Sequence, residues 1–328
     1  MYTEIPFWLS IVMLAGGFVA LAWSSDTFVD GASSVAKALG ISPFVIGMVI
    51  IGFGTSAPEL CVSVMSGLSD HSNLSLGNAY GSCVFNIAAI LGIASLIRPL
   101  AVKPSTAFAA GPALAALAAI SFFVLRDGVC SRPEAFALLG LFAVLLPLYC
   151  WFDQKGGSDS QPDEATAASS PLWVAALKLG IGLAVLIGSS HILVWGSVDF
   201  ARAMGVSELM IGLTIVAIGT SLPELASAVA SARRGQHEFV LGNIVGSNFF
   251  NTLAVVGLSS AISPAKDFSR FILIRDIPTM FILSLAITAF GVNWRSLRSP
   301  GRINRAEGFM WLAAFVVYYV FVIYNETH

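Results

Sequence analysis

Charge is what this chain has least of. Only 17 Lys and Arg and 19 Asp and Glu occur among 328 residues, 11% together, while 56% are hydrophobic and the mean hydropathy is +0.83. An ordinary soluble domain carries about 25% charged residues, so there are too few ionisable groups here to coat a surface in water. The net charge of −2 leaves no basic field for nucleic acid, which excludes that partner class. Cysteine is scarce too. Cys61, Cys83, Cys130 and Cys150 stand in or beside apolar runs, without metal-ligand spacing or a secreted disulfide pattern, and read as small hydrophobes. The first residues, MYTEIPFW, lack a basic segment and an A-x-A cleavage site, so the first apolar run is expected to remain as a helix. No H-E-x-x-H, G-x-S-x-G or P-loop pattern is present, which removes support for intramembrane hydrolysis and primary pumping.

What the chain has in abundance is apolar runs longer than about 18 residues, each long enough to cross a bilayer. Ten spans are expected: 6–36, 41–69, 73–97, 105–125, 133–152, 172–203, 206–232, 238–262, 271–293 and 306–324. The fold class is an all-α integral membrane protein embedded in the lipid bilayer. The first and sixth spans exceed about 20 residues and should tilt or bend. The one clearly polar connector, 153–171, is rich in Ser, Asp, Gly and Pro and falls at the midpoint. It divides a first unit, 1–152, from a second, 172–328.

A shift of 165 residues lays GFGTSAPEL (52–60) on AIGTSLPEL (217–225), with six of nine identical. The same shift lays LGNAYGSCVFNI (76–87) on LGNIVGSNFFNT (241–252), with seven of twelve identical. It also pairs Ser25 with Ser190, Gly31 with Gly196 and Gly40 with Gly205. Two blocks at one offset mark a duplication. Five spans per half is odd, so the second half enters the membrane from the opposite side, an inverted repeat of the kind that builds a site near the midplane. Arg and Lys number six on the side of the N-terminus and eleven on the side of the linker. That bias puts the linker in the cytoplasm and both termini outside a cell (inner) membrane.

The duplicated blocks carry the chemistry. Glu59 is the only charge between Ala38 and Ser69, and Glu224 the only one between Leu209 and Ser231. A charge at the centre of a bilayer costs about 2.5–3.5 kcal/mol on insertion scales, so it is rarely kept without a function. Pro58 and Pro223 remove a backbone N–H and free the carbonyls of Gly54 and Gly219 one turn earlier, and the Gly and Thr upstream let the helix open. Thr55, Ser56, Thr220 and Ser221 add hydroxyls nearby. In the second block Ser82 and Asn86, like Ser247 and Asn251, are spaced i, i+4 and share a helix face. Hard oxygen donors without His or thiolate suit sodium, calcium or magnesium rather than zinc or copper.

These blocks resemble the cation/calcium exchanger superfamily, the sodium/calcium exchangers and their bacterial relatives. GTSAPEL and GTSLPEL match the family's second and seventh helices, GNAYGSCVFN and GNIVGSNFFN its third and eighth. The resemblance implies a sodium/calcium antiporter with calcium and sodium as transported ions, no resident cofactor and no required protein partner. It implies Glu59 and Glu224 as the calcium carboxylates. Thr55, Ser56, Ser82, Thr220, Ser221 and Ser247 would supply oxygens to calcium or to flanking sodium sites. The backbone carbonyls of Gly52 and Ala217 would join them, and Asn86 and Asn251 would complete the cluster. The first and sixth helices would slide across a rigid bundle. Potassium-dependent members resemble one another in having Asp where this chain has Asn251, so the resemblance is to the potassium-independent branch.

Two other readings compete. A calcium/proton exchanger would load protons on the same carboxylates. A membrane enzyme would use them as acid and base, but duplicated, equivalent carboxylates are poorly suited to roles that need two different environments; the chain reads as a non-enzyme. Asp26 and Asp30, four apart and unduplicated, read as solvated or mouth-lining, His191 as a packing residue, and Arg295, Arg298, Arg302 and Arg305 as an anchor near anionic lipid.

Overall fold

The computed structural model describes residues 7–69, 72–155, 171–205, 215, 217–266 and 268–327. The expected linker therefore lies almost wholly outside the described residues, as does the start of the expected span 206–232. Helix α1 spans Phe7–Leu39 and α2 spans Pro43–Thr55. They are followed by α3 (Ala57–Leu68), α4 (Leu74–Ile97), strand β1 (Leu100–Val102), α5 (Pro104–Leu125), strand β2 (Val129–Cys130) and α6 (Arg132–Lys155). The second half has α7 (Leu172–Ala203), the short α8 (Ala217–Gly219), α9 (Leu222–Arg233) and α10 (His237–Ile262). Strand β3 (Ala265–Lys266), α11 (Ile272–Gly291), strand β4 (Gly301–Ile303) and α12 (Arg305–Thr327) close the chain.

Among the described residues eight helices are long and apolar enough to cross a membrane, and a ninth crossing arises if α2 and α3, bent by 47° at their junction, form one span. The protein is a multi-pass helical membrane protein. Helix α10 is buried over most of its length and α4 largely so, whereas α6 and α12 turn most of their apolar surface outward. A helix apolar all round and buried belongs at the centre of a bundle, and the larger core cluster forms around these two. A smaller cluster joins α1 to α7.

Glycines let α1 and α7 approach closely. A β-carbon on Gly31 would lie 2.5 Å from Leu179 N, and one on Gly182 would lie 2.6 Å from Phe28 N. Gly17 faces Leu193, and Gly196 faces Leu14. As the α1 residue rises through 17, 28 and 31, its partner on α7 falls through 193, 182 and 179, so the two helices run antiparallel. The 165-residue shift carries each of these contacts onto another of the four. Both helices also end on a glycine in the left-handed region, Gly40 at φ +64° and Gly205 at φ +81°, which L side chains rarely adopt.

The four short strands have no counterpart in the sequence reading. β1 pairs antiparallel with β4, and β2 with β3. The first pair joins the α4–α5 and α11–α12 connectors, the second the α5–α6 and α10–α11 connectors. Each pair therefore ties two connectors on one face of the protein, and Lys103 bridges to Glu238 on the face of the first pair.

Candidate functional site

Where the two duplicated motifs fall, the helices break. Ser56 (φ −81°, ψ 7°) separates α2 from α3, and Ser221 (φ −92°, ψ 11°) precedes α9. Pro58 and Pro223 follow each break, where the helix cannot continue its ladder backwards. Both carboxylates lie in the first turn of the helix that follows, Glu59 on α3 and Glu224 on α9, where the positive end of the helix dipole favours a negative charge.

The motifs are cross-tied. Ser56 Oγ donates to Glu224 Oε1 at 2.8 Å, and Ser221 Oγ to Glu59 Oε1 at 3.1 Å. Ser221 Oγ also lies 3.1 Å from Ser82 Oγ. Each carboxylate is thus held by the serine of the other half, through contacts between residues more than 160 positions apart. The second oxygens, Glu59 Oε2 and Glu224 Oε2, have no hydrogen-bond partner among the described residues. Nor have the amide oxygens and nitrogens of Asn86 and Asn251. None of these four residues exposes more than 1% of its surface. A buried polar atom left without a partner costs about 1–3 kcal/mol. Six such atoms on four side chains, from two pairs of repeat-related positions, single out these four residues as the candidate site.

Asn86 and Asn251 sit in a feature that residue spacing did not reveal. Helix α4 passes through a π-helical turn at Phe85–Ile90 and α10 through one at Phe250–Val255, in matching positions of the repeat. Such turns are rare, and they recur at functional sites because the extra residue re-aims the side chains.

Of the expected residues, Ser56 meets Glu224, Ser221 meets Glu59 and Ser82, and Thr55 and Ser247 meet through Asn243. The Gly52 carbonyl already accepts Ser56 N–H at 3.1 Å, so the helix uses it, and the Gly219 carbonyl accepts the Ser190 hydroxyl at 3.3 Å rather than standing free. Ala217 opens α8. Thr55, Ser82 and Ser247 are buried on the same elements, while Thr220 is half-buried at the second break. Sequence reasoning passed over Asn78 and Asn243. Asn243 Oδ1 accepts from Thr55 Oγ1 at 3.3 Å, and Asn78 Oδ1 from Thr220 Oγ1 at 3.3 Å. Their signal was available: both lie in the second block at the common offset, four residues before Ser82 and Ser247. Asp26 and Asp30, expected to be solvated or mouth-lining, are partly exposed and belong to an ionic cluster. Lys178 Nζ lies 2.7 Å and Arg234 Nη1 3.2 Å from Asp30, and Arg234 Nη2 donates to the Asp26 carbonyl at 3.0 Å. His191, expected to pack, is exposed.

Among the described residues no three His, Cys, Asp or Glu side chains cluster. The candidate centre is therefore two carboxylates among neutral oxygens and amides, a donor set for a hard cation. A helical membrane protein with such a centre at two broken helices has the design of an ion-translocating secondary transporter. The chain belongs to the sodium/calcium exchanger family: the model of the sodium/calcium exchanger protein matches residues 9–151 and 174–324. It is 38% identical to the candidate antiporter CaxA of Alkalimonas amylolytica, over 94% of this chain and 97% of that one. It is 35% identical to the inner membrane protein YrbG of Escherichia coli, over 93% and 96%. Its fold superposes on a solved structure of the sodium–calcium exchanger NCX_Mj with a TM-score of 0.79 at 27% identity, covering 95% of this chain and 98% of that one. The family is one of exchangers, not of enzymes.

Proposed function

We propose that the protein exchanges calcium for sodium across the cytoplasmic (inner) membrane by alternating access, with Glu59 and Glu224 as the shared carboxylates of one central site. The observation that carries this reading is the set of four buried oxygens, one each on Glu59, Glu224, Asn86 and Asn251, that have no hydrogen-bond partner among the described residues. Two carboxylates balance one calcium ion, and the surrounding hydroxyls and amides add the neutral oxygens that a six- to eight-coordinate calcium needs. Sodium would use the same oxygens and the duplicated hydroxyls beside them. Both ions are substrates here.

Ten crossings in two inverted halves is the topology we infer. The antiparallel, repeat-related packing of α1 on α7 supports it. So does β1 pairing with β4, since these connectors share a face only if an even number of crossings separates them. Helices α5, α6, α7, α10 and α11 supply five of the six that ten crossings require. A cysteine placed at Ser158, outside the described residues, is then expected to react with an impermeant maleimide only from the cytoplasmic side of intact cells. Labelling from outside would turn the orientation over and leave the pairing of halves intact.

The deciding experiment is calcium uptake into proteoliposomes of purified protein, with sodium, potassium and proton gradients imposed one at a time. Sodium alone is expected to drive uptake in potassium-free buffer, since Asn251 supplies an amide rather than a carboxylate. Uptake that follows the proton gradient without sodium would overturn the sodium reading in favour of proton coupling. More than two sodium ions per calcium would move net charge, and each charge adds about 2.3 kcal/mol per 100 mV of potential. In a second set of vesicles, a valinomycin diffusion potential at fixed sodium and calcium gradients is therefore expected to change the flux. A flux indifferent to the potential would show electroneutral exchange.

A further inference from the structure

A hydroxyl that ligates a cation must send its proton elsewhere, because the same oxygen cannot point a hydrogen at the ion. Around the centre, one side chain stands within reach of such hydroxyls on two elements. Asn243 Oδ1 lies 3.3 Å from Thr55 Oγ1, at the end of α2, whose hydroxyl also reaches the Ile51 carbonyl at 2.9 Å, and 3.5 Å from Ser247 Oγ, on its own helix α10. The orientation of an amide is secured only if its nitrogen is also satisfied, since rotation by half a turn exchanges acceptor for donors. In Asn243 it is: Nδ2 donates to the Glu224 carbonyl at 3.3 Å and to Ser227 Oγ at 3.1 Å. Ser227 in turn donates to the Glu224 carbonyl at 3.0 Å. The side chain is 1% exposed, so no water competes for it.

The other half lacks this lock. Asn78 Oδ1 accepts from Thr220, but Asn78 Nδ2 is buried with no hydrogen-bond partner among the described residues. The repeat accounts for one of the two missing bonds. The position equivalent to Ser227 is Val62, which has no hydroxyl.

We propose that Asn243 and Asn78 are positioning residues that hold the helix-break threonines in place, and that Ser227 locks the first orientation while Val62 leaves the second unlocked. The centre is then built from duplicated residues yet is unequal on its two flanks. This rests on the proposed transport function, and the test separates the two.

The measurement is KM against kcat for whichever cations the unaltered protein exchanges in proteoliposomes. A protein that exchanges none would remove the functional reading before any variant is compared. Ser227→Ala is expected to raise KM for at least one of the exchanged cations about three- to tenfold, the scale of one hydrogen bond, with kcat held within about twofold, because the lock acts only through Asn243. Ser227→Thr, which keeps the hydroxyl, is expected to retain the original KM. Val62→Ser is expected to lower KM by supplying the missing acceptor. An unchanged KM in Ser227→Ala, an equal loss in Ser227→Thr, or a fall in kcat alone would overturn the lock. A KM unchanged or raised in Val62→Ser would overturn the inequality of the flanks. Should Ser227→Ala fail to fold, judged by size exclusion, the Val62→Ser result decides by itself.

Discussion

Replacing Glu59 or Glu224 by Gln is expected to abolish the proposed calcium exchange while leaving the protein folded. Each carboxylate is fully buried, and each gives one oxygen to a serine of the other half and keeps one without a partner. Gln preserves the shape and one acceptor, so the Ser56 and Ser221 hydroxyls still find an oxygen. What it removes is half of the negative charge that balances a divalent cation. Taking away one partner of a buried charge pair costs about 3–5 kcal/mol, at least roughly 100-fold in affinity. Purified Glu59→Gln and Glu224→Gln are expected to elute as the unaltered protein does on size exclusion and to show no uptake above empty vesicles. Near-normal uptake in either would sink the paired-carboxylate site. Asp26→Asn serves as the contrast. Its carboxylate lies in a half-exposed ionic cluster, where one ion pair contributes about 0–1 kcal/mol, and activity should persist.

Loss of the folded protein itself is the expected result of Gly246→Val. Helix α10 crosses α2 at Gly242 and Gly246 with no room for a side chain. A β-carbon on Gly246 would fall 2.1 Å from Met48 O, and one on Gly242 would fall 2.3 Å from Phe44 O. The obstacles are backbone carbonyls, which cannot rotate aside as a side chain can. The cost should reach or exceed the roughly 1–3 kcal/mol typical of overpacking. A shift of α10 that relieved the clash would also move Asn243 away from Thr55 on α2. Detergent-solubilised Gly246→Val is expected to aggregate or to melt well below the unaltered protein. Gly140→Ala is the control, since nothing stands within 4 Å of its β-carbon and α6 is exposed there. It should melt at the same temperature or slightly higher, because Ala favours a helix over Gly by up to about 1 kcal/mol. Equal melting of the two variants would mean that the α2–α10 crossing is not the tight contact described.

Much of this protein was legible in one dimension. Scarcity of charge and the length of the apolar runs dictated a bundle of membrane-crossing helices, because only helices satisfy their backbone without water. Eight of the expected spans correspond to long helices within a few residues, and the bend in a ninth falls at the Gly-Thr-Ser-x-Pro motif that proposed it. The carboxylates were legible for a related reason: in a charge-poor span a lone Glu stands out, and the constant offset of 165 residues tells which Glu belongs with which.

The tertiary structure decided what no local pattern records. That Ser56 serves Glu224 rather than its own neighbour Glu59 depends on two broken helices meeting across 168 residues of chain. The π-helical turns under Asn86 and Asn251 lie in the buried centre and have no signature in the residue spacing. Asp26 and Asp30 resemble solvated residues until Lys178 and Arg234 are brought to them from the second half. Asn243 reads as one more polar residue in a small-residue helix. Only the approach of α2 and α9 gives each of its polar atoms something to hold, because a hydrogen bond is set by distance in space and not by separation along the chain.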